Sequence, residues 1–149
     1  MTDQGPPARL PEFVLADQFG RELDEQTYGG VPVIVVAGNR DGASGVALWT
    51  AALRDVIGEE RDTAVLPVAD LGGVPRLVRR MVARLLPRDA AHWCALDWEG
   101  QLGALVRRDH GVLVAAVYGA DGRLRTWGAL PHDAVDRAML VTLVEGADD

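Results

Sequence analysis

The sequence predicts a single α/β domain, a mixed sheet of four or five strands flanked by helices, and three observations carry that expectation. Val31 to Ala37, VPVIVVA, is an almost unbroken β-branched run, as found in strands buried on both faces. A strand, a glycine-punctuated loop and a helically spaced apolar segment then follow one another twice. Two β-rich runs flank Gly119-Ala120-Asp121-Gly122, a strong hairpin signal, and one more helical segment closes the chain.

Each element follows from its residues. Met1 to Pro11 carry three prolines and little to bury, which predicts a flexible arm over 1–11 and one domain over 12–146. Ala16 to Leu23 set turn residues between short apolar stretches, fitting a small hairpin. After the central strand, GNRDGASG forms a polar loop, and Val46, Trp49, Leu53, Val56 and Ile57 repeat at helical spacing up to Gly58. TAVLPVA, 63–69, reads as a second strand whose Pro67 points to an edge position or a strand end. Between Val74 and Leu86, residues Leu77, Val78, Met81, Val82, Leu85 and Leu86 form an apolar stripe, with Arg76, Arg80 and Arg84 stepping by four beside it. HWCAL, 92–96, is a candidate third core strand, leading to a short helical or irregular piece through Arg107. Asp133 is placed to cap the last helix, and Gly146 to lie beyond its end.

Composition excludes several function classes. A chain of 149 residues with 48% hydrophobic and 25% charged residues can offset its ordering entropy by burial, so disorder and disulfide scaffolds drop out. A net charge of -7 disfavours binding to a phosphate backbone, so nucleic acid is not expected as a partner. All 15 basic residues are arginine, which removes lysine-based covalent chemistry and a lysine-bearing phosphate loop. No apolar run approaches the ~20 residues of a membrane span, and the N-terminus has no signal-peptide pattern, so a cytoplasmic location is expected. One cysteine cannot form an internal disulfide, a CxxC pair or a thiolate zinc cage. His92, His110 and His132 offer no closely spaced ligand pair, and neither metal nor cofactor is implied.

The remaining candidates divide between two regions. The loop before the first helix offers free amides beside Asn39, Arg40, Gly42 and Ser44, where a small anion or another small molecule could be held. Ser44 as a nucleophile, with Asp41 and a histidine, lacks the G-x-S-x-G elbow, and a serine in a first helical turn is more often a cap. Segment 76–88 has five arginines and no acid, so +5 there faces -12 on the rest of the chain. Arg76, Arg80 and Arg84 read either as a solvated helix face or as a docking surface for a protein partner or a second copy. Cys94, in an apolar stretch, reads as an inert core thiol, and most of Trp49, Trp93, Trp98 and Trp127 as core anchors.

The element order β-α-β-α-β-β-α outlines the thioredoxin fold. PEFVLADQFGRELDEQTYGGVPVIVVAG resembles the opening of thioredoxin-like peroxiredoxins and thiol reductases, a P-x-F-x-L-x-D-x-x-G hairpin followed by a loop and an apolar strand. AGNRDGAS, RRMVARLLP and VLVAAVYGADGRLRTWGALPHDAVDRAM bring the chain closer to the YtfJ-like family, bacterial thioredoxin-fold proteins without the redox cysteines. That resemblance covers most of the chain from Glu12 and implies a thioredoxin-like fold. Thiol-active members place a cysteine after the first core strand, where this sequence has Asn39 to Ser44, and a cis-proline where Val112 or Leu113 stands. The resemblance therefore implies a non-catalytic protein acting through a protein partner or self-association. The alternative is a small-molecule binder or enzyme using the loop 38–45.

Overall fold

The computed structural model describes residues 5–59, 61–86, 88–107 and 111–148, so His110 lies outside the described residues. Its sheet grows outward from β3 (Val33–Gly38), whose six residues are all buried. Side chains of a strand alternate between faces. Val33, Val35 and Ala37 accordingly join the core on one side of the sheet, and Ile34 and Val36 the core on the other. β4 (Ala64–Asp70) runs parallel to β3 on one flank, and β6 (Leu113–Tyr118) antiparallel on the other. β7 (Leu124–Ala129) completes the hairpin with β6 around Gly122, which takes a φ of 80° that favours glycine.

The sheet has seven strands rather than four or five. The early hairpin, β1 (Val14–Asp17) and β2 (Glu22–Asp24), does not stand apart, because β1 pairs antiparallel with β5 (Ala95–Asp97) and extends the sheet to the order β2-β1-β5-β4-β3-β6-β7. Pro67 consequently sits in an interior strand and not at an edge. It lies opposite Val36, and β5 pairs with β4 only from Val68 onward, so no strand adjoins Pro67 on that flank.

Helices cover both faces. α1 (Ala43–Ile57) and α4 (Arg137–Asp148) pack on one side, α1 ending at Gly58 as the sequence predicts. α3 (Gly103–Arg107) sits on the other side, where Leu102 and Val106 enter the core. Asp136, not Asp133, caps α4, its Oδ1 accepting from the Met139 N–H at 3.2 Å. Gly146 lies inside that helix instead of terminating it, at a place where a Cβ would approach Thr126 Cγ2 to 2.7 Å. Where the sequence predicts a flexible arm, residues 5–11 lie along the β6–β7 hairpin. Leu10 N–H donates to Gly122 O at 2.9 Å, Leu124 N–H to Ala8 O at 2.8 Å, and the Tyr118 hydroxyl to Pro7 O at 2.9 Å.

The helix expected over 74–86 is shorter and faces outward. A 3-10 turn, Arg76–Val78, runs into the seven-residue α2 (Arg79–Leu85), and no residue of either is buried. Arg79 anchors it, pairing with Glu99 at 3.0 Å and lying over the Trp98 ring.

Asp97 is fully buried and accepts the backbone N–H groups of Gln101, Leu102 and Gly103, which fixes the turn from β5 into α3. Asp97→Ala leaves three amides without their acceptor and is expected to lower stability by about 3 kcal/mol or more. Urea unfolding measures this, and a loss below about 1 kcal/mol would show that the carboxylate does not organise the turn.

Candidate functional site

The loop joining β3 to α1 is held mostly by its own groups. Asn39 Oδ1 accepts from the Asp41 N–H at 2.9 Å and the Gly42 N–H at 3.1 Å, and Asn39 N–H donates to Val112 O at 3.1 Å. Two of the amides that an anion would use are thus engaged. Gly42 is buried, and a Cβ there would fall 2.1 Å from Val112 O. Arg40 and Ser44 are exposed. Among the described residues no hydrogen bond joins Ser44 to a histidine.

Beside the start of α1 the structure opens a cleft of about 370 Å³. Its walls are residues of α1 from Ala43 to Ala51, Pro67 and Ala69 of β4, Leu86, and the segment 91–94. Ser44 is the member of the predicted 39–44 set that reaches it. Thr50 lines it too, at 4% exposure, and its buried Oγ1 has no hydrogen-bond partner.

Cys94 lies on the wall facing α1, half-buried, and not in the core as its apolar neighbours predict. Burial, with a smaller contribution from Asp17, pushes its thiol up to about 11, so it is protonated at neutral pH. Gln18 builds this wall: its Nε2 donates to His92 O at 2.8 Å and its Oε1 accepts from the Cys94 N–H at 2.9 Å. Trp93 is likewise half-buried, with the guanidinium groups of Arg21 and Arg54 at 4.6 and 5.3 Å from its ring. Of the four tryptophans Trp49 is fully buried, its Nε1–H donating to Pro131 O at 2.7 Å. Trp98 and Trp127 are half-buried. Sequence reasoning missed Gln18 and Thr50, whose roles arise only from long-range packing.

The arginine row is separate from the cleft wall. Arg76, Arg80 and Arg84 are exposed, and among the described residues none of the three has an ion pair or hydrogen bond. Nor do the described residues contain a cluster of three or more His, Cys, Asp or Glu placed to hold a metal. No described helix is long and apolar enough to cross a membrane.

No protein-family model and no curated protein matches the sequence. Solved structures do. A putative thiol:disulfide interchange protein DsbE from Chlorobium tepidum superposes with a TM-score of 0.63 at 14% identity, covering 98% of this chain and 96% of that one. Peroxiredoxin Q from Xanthomonas campestris gives 0.64 at 14% identity, covering 96% and 97%. The exposed lipoprotein thioredoxin Etrx1 from Streptococcus pneumoniae gives 0.60 at 20% identity, covering 90% and 98%. At such identities the likeness establishes the fold, which is thioredoxin-like. These three are redox proteins by name, whereas this chain carries a single cysteine, which lines the cleft together with Ala43 and Ser44 of the first turn of α1.

Two outcomes follow from this geometry. Gly42→Ala is expected to cost about 2 kcal/mol or more, because backbone must move to admit the methyl group. Gly73→Ala, where nothing lies within 4 Å, is expected to be neutral or slightly stabilising. Thermal melts compare the two, and equal effects would contradict the close approach. For Cys94, a rise from 9.0 to about 11 leaves roughly a hundredfold less thiolate at neutral pH than an unperturbed thiol. Iodoacetamide is therefore expected to alkylate the native protein far more slowly than the urea-unfolded chain at pH 7.5, and similar rates would contradict the raised thiol. Because the folded value is the higher one, this thiol's contribution to stability is present below 9.0 and declines as pH rises toward 11.

Proposed function

We propose that this chain is a thioredoxin-fold protein without thiol–disulfide or peroxidase chemistry, of the cysteine-poor kind that the YtfJ-like resemblance implies. It works by docking a protein partner on the outer face of α2. One observation carries the reading: Leu77, Met81 and Leu85, four residues apart, are 97%, 61% and 79% exposed. A helix normally turns such a stripe inward, so a ridge left in water is a surface awaiting cover. Arg76, Arg80 and Arg84 run beside it, also exposed.

The charge pattern selects the occupant, a different protein with an apolar groove rimmed by acids. A two-fold pairing of this chain through α2 would bring one arginine row against the other. Docking onto the acidic remainder of a second copy would be head-to-tail and would not close unless a ring formed. An acidic partner escapes both difficulties, and the arginines then speed encounter and fix register while the ridge supplies the buried area.

The test starts from a partner recovered from cells of the protein's own source and purified. Its affinity is measured for wild type, for Arg76→Gln/Arg80→Gln/Arg84→Gln and for Leu77→Gln/Met81→Gln/Leu85→Gln. The arginine variant is expected to bind at least tenfold more weakly with less salt dependence, and the apolar variant to lose binding, with melting temperatures held. Wild-type affinity in both variants, or self-association of the wild type through α2, would overturn the reading.

A further inference from the structure

We infer that α2 has a second position, rolled about its own axis by roughly 100°, in which Met81 and Leu85 fill the cleft between α1, β4 and segment 91–94 and the docking ridge is withdrawn from water. The inference rests on the docking reading for its consequence, since it says how that same surface is hidden and displayed. The closure itself involves this chain alone.

Two sides of one helix disagree. Leu77, Val78, Met81, Val82, Leu85 and Leu86 make up the apolar side of the segment. The half-buried side is instead Val78, Arg79, Val82 and Ala83, with Leu86 at the helix end. Successive helical residues are about 100° apart, so the two sides are offset by close to one residue's step. A roll of that size exchanges them: Met81 and Leu85 go in, and Arg79 goes out.

The neighbouring surface has the shape to receive them. The cleft of about 370 Å³ adjoins α2, because Leu86 is one of its walls. Ala43, Ala47 and Ala51 of α1 and Pro67 and Ala69 of β4 line it with short apolar groups. A cavity of roughly 150 Å³ in another protein accepts benzene, and neither the Met81 nor the Leu85 side chain is larger than benzene, so both fit. An apolar hollow and an apolar ridge each order water unfavourably, and one movement removes both.

What holds α2 in its outward position is slight. Arg79 Nη1 lies 3.0 Å from Glu99 Oε1 on a mostly exposed side chain, its guanidinium stands 5.4 Å from the Trp98 ring, and its Nε is buried without a partner. An ion pair so open to water is weak and screened by salt. At the entry to the segment Gly72 and Gly73 are exposed, and nothing lies within 4 Å of the place a Gly73 Cβ would take. By helical spacing Arg76 and Arg80 stay on the water side after the roll, so an acidic partner can meet them before the ridge returns.

The experiment labels the methionine and alanine methyl groups with ¹³C and follows them by NMR with a neutral gadolinium chelate in the water, Met139 of α4 serving as the internal reference. Arg79→Gln removes both holds on α2. It is expected to lower the chelate's relaxation of the Met81 methyl at least twofold from wild type and to bring that methyl into nuclear Overhauser contact with Ala47 or Ala51. Ala47→Phe puts bulk into the cleft from an exposed position and is expected to leave Met81 at least as open to the chelate as in wild type, without contact to Ala51. Equal exposure of Met81 in all three proteins, or no contact with the cleft alanines in Arg79→Gln, overturns the closure. Its control of docking is read on Glu99→Gln, which loosens α2 while removing an acid that would repel an acidic partner. Binding to the purified partner is expected to weaken roughly twofold, and unchanged or tighter binding overturns that control. The docking reading fails by a separate result, wild-type affinity in Leu77→Gln/Met81→Gln/Leu85→Gln, which leaves the methyl measurements standing.

Discussion

The seating of the first turn of α1 is the constraint from which the rest of this structure follows. Gly42 lies against the Val112 carbonyl and Gly45 against Leu113 and the backbone of His132, at distances that exclude any Cβ. Seven residues into the helix, Trp49 reaches across to Pro131 O. The helix is therefore clamped at its start and its middle to the segments on either side of the β6–β7 hairpin. With α1 fixed in this way, Ala43, Ala47 and Ala51 line the cleft from the helix, with Pro67 and Ala69 lining it from β4.

Polar groups elsewhere serve the same architecture. Asp97 spends its carboxylate on three backbone amides, and Asp17 spends its own on the amides of Phe19 and Arg21 and the Arg21 guanidinium. Gln18 ties the β1–β2 hairpin to the wall that carries Cys94. Acids and amides with their bonding complete are structural parts, and they contrast with the Thr50 hydroxyl, buried without a partner as are Arg79 Nε and Arg107 Nε, and with the outward ridge of α2.

Much of the fold was legible because it depends on local pattern. β3 and β6 are buried on both faces and read as continuous apolar runs, and the Asp121-Gly122 pair declares its turn. The stripe of segment 74–86 was legible as a helix face, but a stripe does not say what covers it, and α2 turned out to leave it in water. Gly146 carried an ambiguous message, since a glycine ends a helix or admits a close neighbour, and Thr126 decides for the second. The seven-strand order and the role of Gln18, whose partners lie 74 and 76 residues away, depend on contacts that no window of sequence contains, whereas the amides Asp97 accepts lie 4 to 6 residues on and were within local reach. For the site, the sequence singled out Asn39, Arg40, Gly42 and Ser44 as binding candidates, of which Ser44 lines the cleft, and the cleft itself needed coordinates.

If the first turn of α1 serves packing and not thiol chemistry, reduction of insulin disulfides is the most direct measurement. With dithiothreitol as the electron source, wild type and Cys94→Ser should both leave the rate of insulin precipitation at that of the protein-free control. Acceleration by the wild type that disappears in Cys94→Ser would contradict the whole reading, because the sulfur would then be reactive despite its protonated, half-buried setting.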